Sequence, residues 1–450
     1  MWESSRVCLW HAKSTSVTGI LLLVGIYAAA IVGCGKHDGS AARQDATASP
    51  VAPASSPAQP TSAGASAVAA EDSDSPAAKP AAPTADPPRV LTDEQITAGW
   101  IALFDGQTLF GWEHGQQADW HVEDGTIVVS QGPPGLLTTT TPFGDYELHV
   151  EFKADEGTNS GVFLATDKEP GDITTKCYEL NIAGGDHPFP TGSLVNRQAA
   201  AAGLGRTDWQ AFDVTVQAGH IVIRLDDQPV LDYTDPQPVR RGRIGLQLNQ
   251  GKVAFRNVRL RPLGLESLFN GKDLTGWKSY PDMPSKFTVT AAGELHVENG
   301  SGQLETERSF GDFVLQLECM THAPNLNSGL FFRCIPGEKM NGYESQIHNG
   351  YRDGDRNQPL DCGTGGIFRR QNARRVVGDD LAWVHKTIIA VGPHVSVWVN
   401  GYQVTDWTDT RAADPNPRKG LRVEPGTLMI QGHDATTNLS FRNLRGGELP

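Results

Sequence analysis

The chain carries the same sequence pattern twice, and this duplication limits the folds that it can adopt. Residues 103–112 read LFDGQTLFGW and residues 268–277 read LFNGKDLTGW, so a whole domain's length of chain separates the two motifs. This spacing indicates a duplicated domain, because solenoid units repeat roughly every 20–50 residues. Further matches follow in the same order: Asn159-Ser160-Gly161 with Asn327-Ser328-Gly329, Tyr178-Glu179 with Tyr343-Glu344, Trp209 with Trp383, and Phe255-Arg256-Asn257 with Phe441-Arg442-Asn443. A residue kept in both copies is expected to serve the fold, whereas a polar residue in only one copy indicates a task of that copy.

The segment 1–34 has the pattern of an export signal. Arg6, His11 and Lys13 precede an apolar run over residues 20–32, which is too short for a membrane span. Small residues before Cys34 resemble the lipobox of bacterial lipoproteins, so we expect Cys34 to be lipidated and the protein to be a membrane-anchored lipoprotein in the periplasm or at the cell surface. An ordinary secretory signal and an uncleaved anchor are the alternatives, and both also place the rest of the chain outside the cytoplasm.

The remainder divides into a tether and two domains. Residues 35–90 are rich in Ala, Ser, Pro and Thr and have almost no large apolar residues, so we expect a disordered linker. Pro262 and Gly264 mark a short boundary between a first domain at 91–263 and a second at 265–450. The net charge is −14 without a basic patch that contains aromatic residues, which argues against nucleic acid as a partner.

Short runs of alternating apolar and polar residues predict half-buried strands, as over 146–152 and 313–318. Asp226-Asp227 and Asn400-Gly401 follow such runs and are hairpin turn signals. No helical pattern exceeds three turns beyond the tether. Many closely spaced short strands indicate an all-β fold, with each domain a β-sandwich or jelly roll that has one concave polar face.

Four cysteines remain beyond the signal, and no two have the C-x-x-C spacing of a structural zinc site. An oxidising compartment would permit a disulfide within the second domain. Cys319 and Cys334, each at the end of an apolar strand, are the favoured pair, although the sequence leaves the connectivity open.

Several motifs together resemble the 3-keto-disaccharide hydrolase domain family. They are the Phe-Asn-Gly-Lys-Asp-Leu-x-Gly-Trp opening, Asn-Ser-Gly before aromatic residues, Gly-Tyr-Glu-x-Gln-Ile, Thr-Gly-Gly-Ile and the closing Phe-Arg-Asn. The second copy matches from 267 to about 444, and the first departs at polar positions. The resemblance implies two tandem concanavalin-like jelly rolls and action on glycosides that are oxidised at the sugar C3.

The best catalytic candidates lie in the second copy at residues 343–348. On a strand, Glu344, Gln346 and His348 point to one face. Burying an acid, an amide and an imidazole without partners is costly, so the row suits a polar cleft, although a solvated strand face would also explain it. The first copy has Glu179, Asn181 and Ala183 there.

A second row strengthens the contrast between the copies. Gln431 and His433 share a face of the strand that follows Gly426, and the first copy has Gln247 and Asn249. Arg333 follows Asn327-Ser328-Gly329 on its strand, where the first copy has Ala165. Either histidine could be a satisfied structural group, and Arg333 could equally form a surface ion pair.

A ketone at C3 acidifies the C2–H bond, so a base can remove that proton and the C1 substituent can leave by elimination. Direct hydrolysis would instead need two spaced carboxyl groups, and the sequence leaves this choice open. We predict that Glu344 is the acid/base, that His348 or His433 assists proton transfer, and that Arg333, Gln346 and Gln431 bind hydroxyls or the enolate oxygen.

The second domain is therefore predicted to be an exported hydrolase of 3-keto-disaccharides or related oxidised glycosides, and the first a degenerate copy. No cofactor is expected, because phosphate-loop, nicotinamide and Gly-x-Ser-x-Gly motifs are absent from the sequence. Glu344, His348 and His433 could bind a metal, but no spacing requires it, and we predict none. The rival hypotheses are a carbohydrate-binding surface lipoprotein without catalysis and a structural cell-surface protein.

Overall fold

The computed structural model describes residues 89–115 and 117–450. The predicted signal peptide, Cys34 and almost all of the predicted linker lie outside the described residues. The described chain begins with the short helix α1 (Asp93–Thr97), whose first turn is closed by a capping box between Thr92 and Gln95. No helix within these two ranges is long and apolar enough to cross a membrane.

The first copy of the repeat forms a β-sandwich, and all of its strand pairs are antiparallel. Its strands are β1 (Ile101–Ala102), β2 (Trp112–His114), β3 (His121–Glu123), β4 (Thr126–Val129), β5 (Gly135–Thr139), β6 (Tyr146–Ala154), β7 (Ser160–Thr166), β8 (Tyr178–Ile182), β9 (Gln210–Gln217), β10 (His220–Leu225), β11 (Gln228–Thr234), β12 (Arg243–Leu248) and β13 (Val253–Pro262).

The second copy repeats this order and adds one small hairpin, β22–β23. Its strands are β14 (Glu266–Ser267), β15 (Trp277–Ser279), β16 (Lys286–Val289), β17 (Leu295–Glu298), β18 (Gly302–Phe310), β19 (Phe313–Thr321), β20 (Ser328–Cys334), β21 (Tyr343–Ile347), β22 (Tyr351–Arg352), β23 (Asp355–Pro359), β24 (Val384–Val391), β25 (His394–Val399), β26 (Tyr402–Thr408), β27 (Gly426–Gly432) and β28 (Asn438–Glu448).

Each sandwich consists of an eight-stranded large sheet and a five-stranded small sheet. The first large sheet has the order β11-β10-β9-β6-β13-β4-β3 with β1 beside β13, and its small sheet has the order β2-β5-β12-β7-β8. The second has β26-β25-β24-β19-β28-β17-β16 with β14 beside β28, and its small sheet has β15-β18-β27-β20-β21. The two strand orders are identical position by position, which confirms the prediction of two tandem all-β sandwiches.

The alternating runs form the strands that the sequence predicts. In β6, Tyr146, Leu148, Val150 and Phe152 point into the core between the sheets, and the residues between them face outward. The predicted hairpin turns also form: Asn400 and Gly401 have φ values of +47° and +76° between β25 and β26, the left-handed pair that a tight hairpin requires.

The closing Phe-Arg-Asn motif has a structural explanation. In the second copy, the Arg442 guanidinium lies 4.0 Å from the centre of the Trp383 ring and bonds to the Glu318 carboxylate. Asn443 adopts a left-handed φ of +53° in a bulge and also donates to Glu318. The first copy repeats every contact with Arg256, Trp209, Glu151 and Asn257. Both tryptophans therefore serve the fold.

The two sandwiches contact each other directly. The Trp398 indole is buried in the core of the first sandwich, and its Nε1 donates to the Ala102 carbonyl at 2.9 Å. The Ala102 amide donates to the Gly401 carbonyl at 2.8 Å, and Arg374 forms a 2.8 Å ion pair with Asp105. These contacts join the β25–β26 edge of the second large sheet to residues 102–105 at the start of the first sandwich.

The favoured disulfide is not formed. Cys177, Cys319, Cys334 and Cys362 are all buried free thiols. Cys319 lies on β19 of the large sheet, whereas Cys334 lies on β20 of the small sheet. The apolar runs that the two cysteines end belong to different layers of the sandwich.

Candidate functional site

The small sheet of the second sandwich carries a row of amides on its outer face. Gln303 on β18 pairs with Gln431 on β27, and Gly329 on β20 pairs with Gln346 on β21. The residues next to them along the strands, such as Leu330, point inward and form the core. The strand pairing therefore places Gln346 and Gln431 on the same face of one sheet.

A second row on the same face ends in two carboxyl groups. Glu305 on β18 pairs with Met429, Met429 with Phe331, and Phe331 with Glu344 on β21. The Glu305 carboxylate is fully buried and accepts hydrogen bonds from Thr427 at 2.6 Å and from the tyrosine hydroxyl of residue 280. Because its oxygens are occupied, Glu305 is a structural carboxylate.

Glu344 differs from Glu305 because its carboxyl group accepts no hydrogen bond from any described residue. It lies in the wall of a cavity of about 330 Å³, together with Gln431. Burial, and next the negative charge of Asp361, raises the pKa of Glu344 to about 7. A carboxyl group with this pKa can accept and return a proton near neutral pH.

Gly329 creates the space that the Glu344 carboxyl group occupies. A Cβ atom at Gly329 would lie 2.5 Å from the Glu344 Oε1 atom. The glycine that follows Asn327-Ser328 in the motif therefore leaves room for the Glu344 side chain, and this close approach, not its φ angle, explains the glycine.

The two glutamines have unpaired acceptors. The Gln346 Nε2 atom donates to the Asp361 carbonyl at 2.9 Å, but the Oε1 atoms of Gln346 and Gln431 have no protein partner. The equivalent Asn181 and Gln247 of the first copy show the same pattern. Buried amide oxygens without partners are costly, and the Gln431 oxygen, which belongs to a side chain in the cavity wall, is a ready acceptor for a ligand hydroxyl.

The two predicted histidines lie near each other but not in the cavity wall. Because β21 ends at Ile347, His348 begins the following turn, and its Nδ1 accepts a hydrogen bond from the Gly350 amide at 3.1 Å. Burial lowers the pKa of His348. His433 is partly exposed and lies 2.9 Å from the Asp434 carboxylate. Neither lines the cavity that contains Glu344.

Arg333 does not join this group. Its guanidinium is 1% exposed, forms a 3.1 Å ion pair with Asp312 and donates to the Gly392 carbonyl. The register of β20 shifts between Phe331 and Cys334, and Arg333 has a left-handed φ of +50°. This bulge turns the arginine away from the face that simple alternation predicts. The predicted role of Arg333 in binding substrate is therefore not supported, and its role here is structural.

The site contains cations that the sequence analysis missed. Arg369, Arg370 and Arg418 line the cavity beside Glu344. Lys386 is fully buried behind it, where its Nζ atom donates to the carbonyls of Ser345 at 2.8 Å and Gln346 at 2.9 Å. Burial lowers the pKa of Lys386 to about 8. A lysine two residues before the apolar run 388–391 on the same strand was the available signal.

The first copy has replaced parts of this face. Leu136 stands where the second copy has Gln303, and it packs with Phe163 and Cys177 in an apolar cluster. Burial also raises the pKa of Glu179, the counterpart of Glu344. The first face thus keeps its carboxyl group and amides but is partly covered by apolar side chains.

Within the described residues, no three His, Cys, Asp or Glu side chains are grouped as metal ligands would be. The structure therefore does not gather Glu344, His348 and His433 into a metal-binding cluster.

The second sandwich thus combines an antiparallel two-sheet fold with a cavity lined by a carboxyl group, an amide and guanidinium groups. The chain belongs to the family of 3-keto-alpha-glucoside-1,2-lyase-like domains, whose model matches residues 99–261 and 264–445. Both sandwiches are members, which confirms the resemblance seen in the motifs.

Similar proteins include a 3-keto-disaccharide hydrolase of Bacteroides thetaiotaomicron, 27% identical over 230 residues, which are 37% of this chain and 79% of the relative. A solved structure of a candidate glycosyl hydrolase from Parabacteroides distasonis is 20% identical, with a TM-score of 0.35 over 39% of this chain and 99% of the other. The carbohydrate-binding module CBM66 of Bacillus subtilis is 15% identical, with a TM-score of 0.28 over 34% of this chain and 95% of the other.

Proposed function

We propose that the second sandwich cleaves 3-keto-disaccharides or related glycosides oxidised at C3, with Glu344 as the acid/base. The observation that carries this proposal is a carboxyl group without a hydrogen-bond partner, with a pKa of about 7, in the wall of a polar cavity. Family membership and the similarity to a 3-keto-disaccharide hydrolase support the same chemistry.

The chemistry begins with the ionised Glu344. It accepts the C2 proton, and the electron pair of that C–H bond forms the enolate with the C3 carbonyl. When the enolate collapses, the C1=C2 bond forms, the C1–O bond breaks and the leaving oxygen takes a proton. Addition of water across the new double bond then completes a net hydrolysis. We assign to the Gln431 amide N–H, in the same cavity wall, the role of donor to the charged C3 oxygen.

The remaining predicted residues have narrower roles. Gln346 is fixed by its bond to the Asp361 carbonyl, and its free Oε1 atom can accept a sugar hydroxyl. The negative charge of Asp361 favours the protonated form of both Glu344 and His348, so the two side chains share one electrostatic environment. Proton transfer through His348 stays a prediction. His433 could assist only through His348, whose pKa it also affects.

The test incubates the purified chain with 3-keto-trehalose and measures released sugar. We expect turnover by the wild type, a loss of about 10²–10⁴-fold for Glu344→Gln, and little change for the matched first-copy variant Glu179→Gln. The kcat/KM value should rise with pH up to about 7, because Glu344 must be ionised to act as the base. Full turnover by Glu344→Gln would refute the assignment, and glycan binding without any product would favour the carbohydrate-binding alternative.

A second measurement separates elimination from direct hydrolysis. In deuterium oxide, elimination followed by addition of water places one deuterium at C2 of the released 3-keto sugar. Direct hydrolysis would add no deuterium at C2. A parallel incubation with Glu344→Gln measures the uncatalysed exchange at C2, which is subtracted.

We also propose that the protein is exported and anchored through a lipid on Cys34, which places the site in the periplasm or at the cell surface. The support is the sequence pattern of the segment 1–34. The Cys34→Ser variant is expected to leave the membrane fraction, and its retention there would contradict the lipid anchor.

A further inference from the structure

The cavity of the second sandwich has an excess of positive charge at its rim. Arg369, Arg370 and Arg418 line it, and Glu344 is the acidic side chain in its wall. The Arg370 guanidinium is held by the Arg418 carbonyl at 2.9 Å, and that of Arg418 by the Met340 carbonyl at 2.6 Å. Over residues 89–115 and 117–450, none of the three arginines forms an ion pair with a carboxylate.

Comparison of the two copies shows that Arg370 lacks the structural ion pair that its counterpart forms. In the first copy its counterpart Arg197 lies 4.3 Å from the Tyr178 ring centre and forms a 2.6 Å ion pair with Asp235. In the second copy Arg411 takes over this ion pair, with Asp409 at 2.8 Å. Arg370 is therefore free to face the cavity.

Arg369 occupies a position that disfavours it. Its φ is +58°, in the left-handed region, and its counterpart Asn196 has the same conformation at +59°. Asparagine tolerates this region, whereas an arginine there costs roughly 1 kcal/mol or more. The second copy thus accepts backbone strain to place a guanidinium at the cavity.

Clustered cations repel each other. The chain has more acidic than basic residues, with a net charge of −14, yet no carboxylate in the described part of the chain forms an ion pair with these three arginines. Guanidinium groups bind carboxylates and sulfates through paired N–H donors, and such charge-assisted bonds are the strong ones. We propose that the substrate of the second sandwich is an acidic glycoside, whose carboxylate or sulfate group is bound by Arg369, Arg370 and Arg418 beside Glu344.

This inference rests on the proposed function, and the experiment separates the two. Three aryl 3-keto-glucosides are compared at 0.15 M salt: one with a 4-carboxyphenyl group, one with a 4-sulfooxyphenyl group, which carries a sulfate ester, and one with the uncharged 4-carbamoylphenyl group. We expect kcat/KM to be at least about tenfold higher for an anionic aryl group than for the uncharged one, because each charge-assisted bond is worth about that factor. The better of the two anionic substrates identifies carboxylate or sulfate as the preferred group.

The variants Arg369→Asn and Arg418→Gln should each reduce this preference about tenfold through KM. Asparagine fits the φ of residue 369, as it does in the first copy, so this variant is expected to fold. Lys419→Gln removes the same charge from the same loop and should keep the preference, because Lys419 is exposed and does not line the cavity, and salt weakens the effect of an exposed charge that makes no direct contact.

Equal kcat/KM for the three substrates, or an anionic preference that survives in both arginine variants, would overturn the acidic-substrate inference and leave the proposed function intact. Turnover of none of the three, nor of 3-keto-trehalose, would instead refute the proposed function.

Discussion

Glu344 and Glu305 are two glutamates at opposite ends of one row, and their hydrogen bonds separate their roles. Glu305 is bonded by the threonine and tyrosine hydroxyls and by the Gly337 amide. Glu344 receives none of these bonds, and burial raises its pKa to about 7. A carboxyl group that the fold leaves unsatisfied in a cavity is available for chemistry, whereas a satisfied one is not.

The raised pKa of Glu344 predicts how stability depends on pH. Because the folded state holds this proton more tightly than the unfolded chain, the stability that it contributes is complete below about pH 4.5 and is lost as the pH rises to about 7. Between these values the wild type should lose about 2–3 kcal/mol relative to Glu344→Gln. Urea denaturation of both at pH 4.5 and pH 8 measures this, with the exposed Glu307→Gln as the control. Parallel pH curves for wild type and Glu344→Gln would contradict it.

The lowered pKa of Lys386 predicts that the free energy of unfolding rises with pH in a higher pH range. Its pKa is lowered to about 8 by burial, so the unfolded chain binds more protons between about pH 8 and 10.5. Over that window, the wild type should gain about 2–3 kcal/mol relative to Lys386→Met. Denaturation at pH 8 and 10 measures the difference, and Lys252→Met, which removes an exposed lysine, is the matched control. A constant difference would show that Lys386 titrates normally.

At the scale of elements, strands β20 and β21 build the site together. The register between them sets Gly329 opposite Gln346 and Phe331 opposite Glu344. The carboxyl group therefore lies over a glycine on the neighbouring strand. Lys386 fixes β21 from behind, because it joins the β24 strand of the large sheet to two β21 carbonyls.

This pairing predicts that Gly329→Ala displaces the Glu344 carboxyl group, because the new Cβ would come within 2.5 Å of its Oε1 atom. We expect kcat/KM to fall about 10–100-fold, since a small misplacement of a catalytic group has effects of this order. The matched variant Gly161→Ala in the first copy should leave turnover unchanged. Steady-state kinetics on 3-keto-trehalose checks both, and equal effects of the two variants would contradict the assignment of the second site.

The β20 strand also shows where alternation fails. The sequence analysis assigns Arg333 to substrate binding, and regular alternation would place it on the same face as Phe331, two residues earlier on the strand. The bulge between Phe331 and Cys334 shifts the register of β20 and interrupts the alternation of faces. The Arg333 guanidinium is therefore buried against Asp312. The first copy has the same left-handed residue at Ala165, so the bulge belongs to the fold.

At the scale of the whole molecule, the two sandwiches share a buried tryptophan. Trp398 belongs to β25 of the second sandwich, but its ring lies in the core of the first, in one cluster with Ile101 and Leu260. The 2.9 Å bond from its Nε1 to the Ala102 carbonyl adds a polar link. The stability of each sandwich should therefore depend on the other.

Trp398→Ala tests this coupling. We expect a loss of about 3–5 kcal/mol, as for other buried large aromatic side chains, and faster hydrogen exchange in β1 and β13 of the first sandwich. Trp407→Ala is the control, because Trp407 packs against the second core and contacts Tyr343. Unchanged exchange in the first sandwich of Trp398→Ala would show that the sandwiches fold independently.

Local pattern was sufficient to predict most of the architecture. The duplication, the period-two alternation over 146–152 and 313–318, and the turn pair Asn400-Gly401 predict two all-β sandwiches, because these features act between near neighbours in the chain. The same alternation correctly places Glu344 and Gln346 on one outer face, and the comparison of copies identifies the second as the more polar one.

Only the tertiary structure decided which of these residues form the cavity. Arg369 and Arg418 come from loops that are distant in the sequence, and Lys386 reaches β21 from the opposite sheet. A bulge turned Arg333 away, and the end of β21 placed His348 beyond the cavity wall. The sequence determines periodicity along each strand, whereas strand register, bulges and loop closure depend on contacts between distant segments, and these set the charge and geometry of the site.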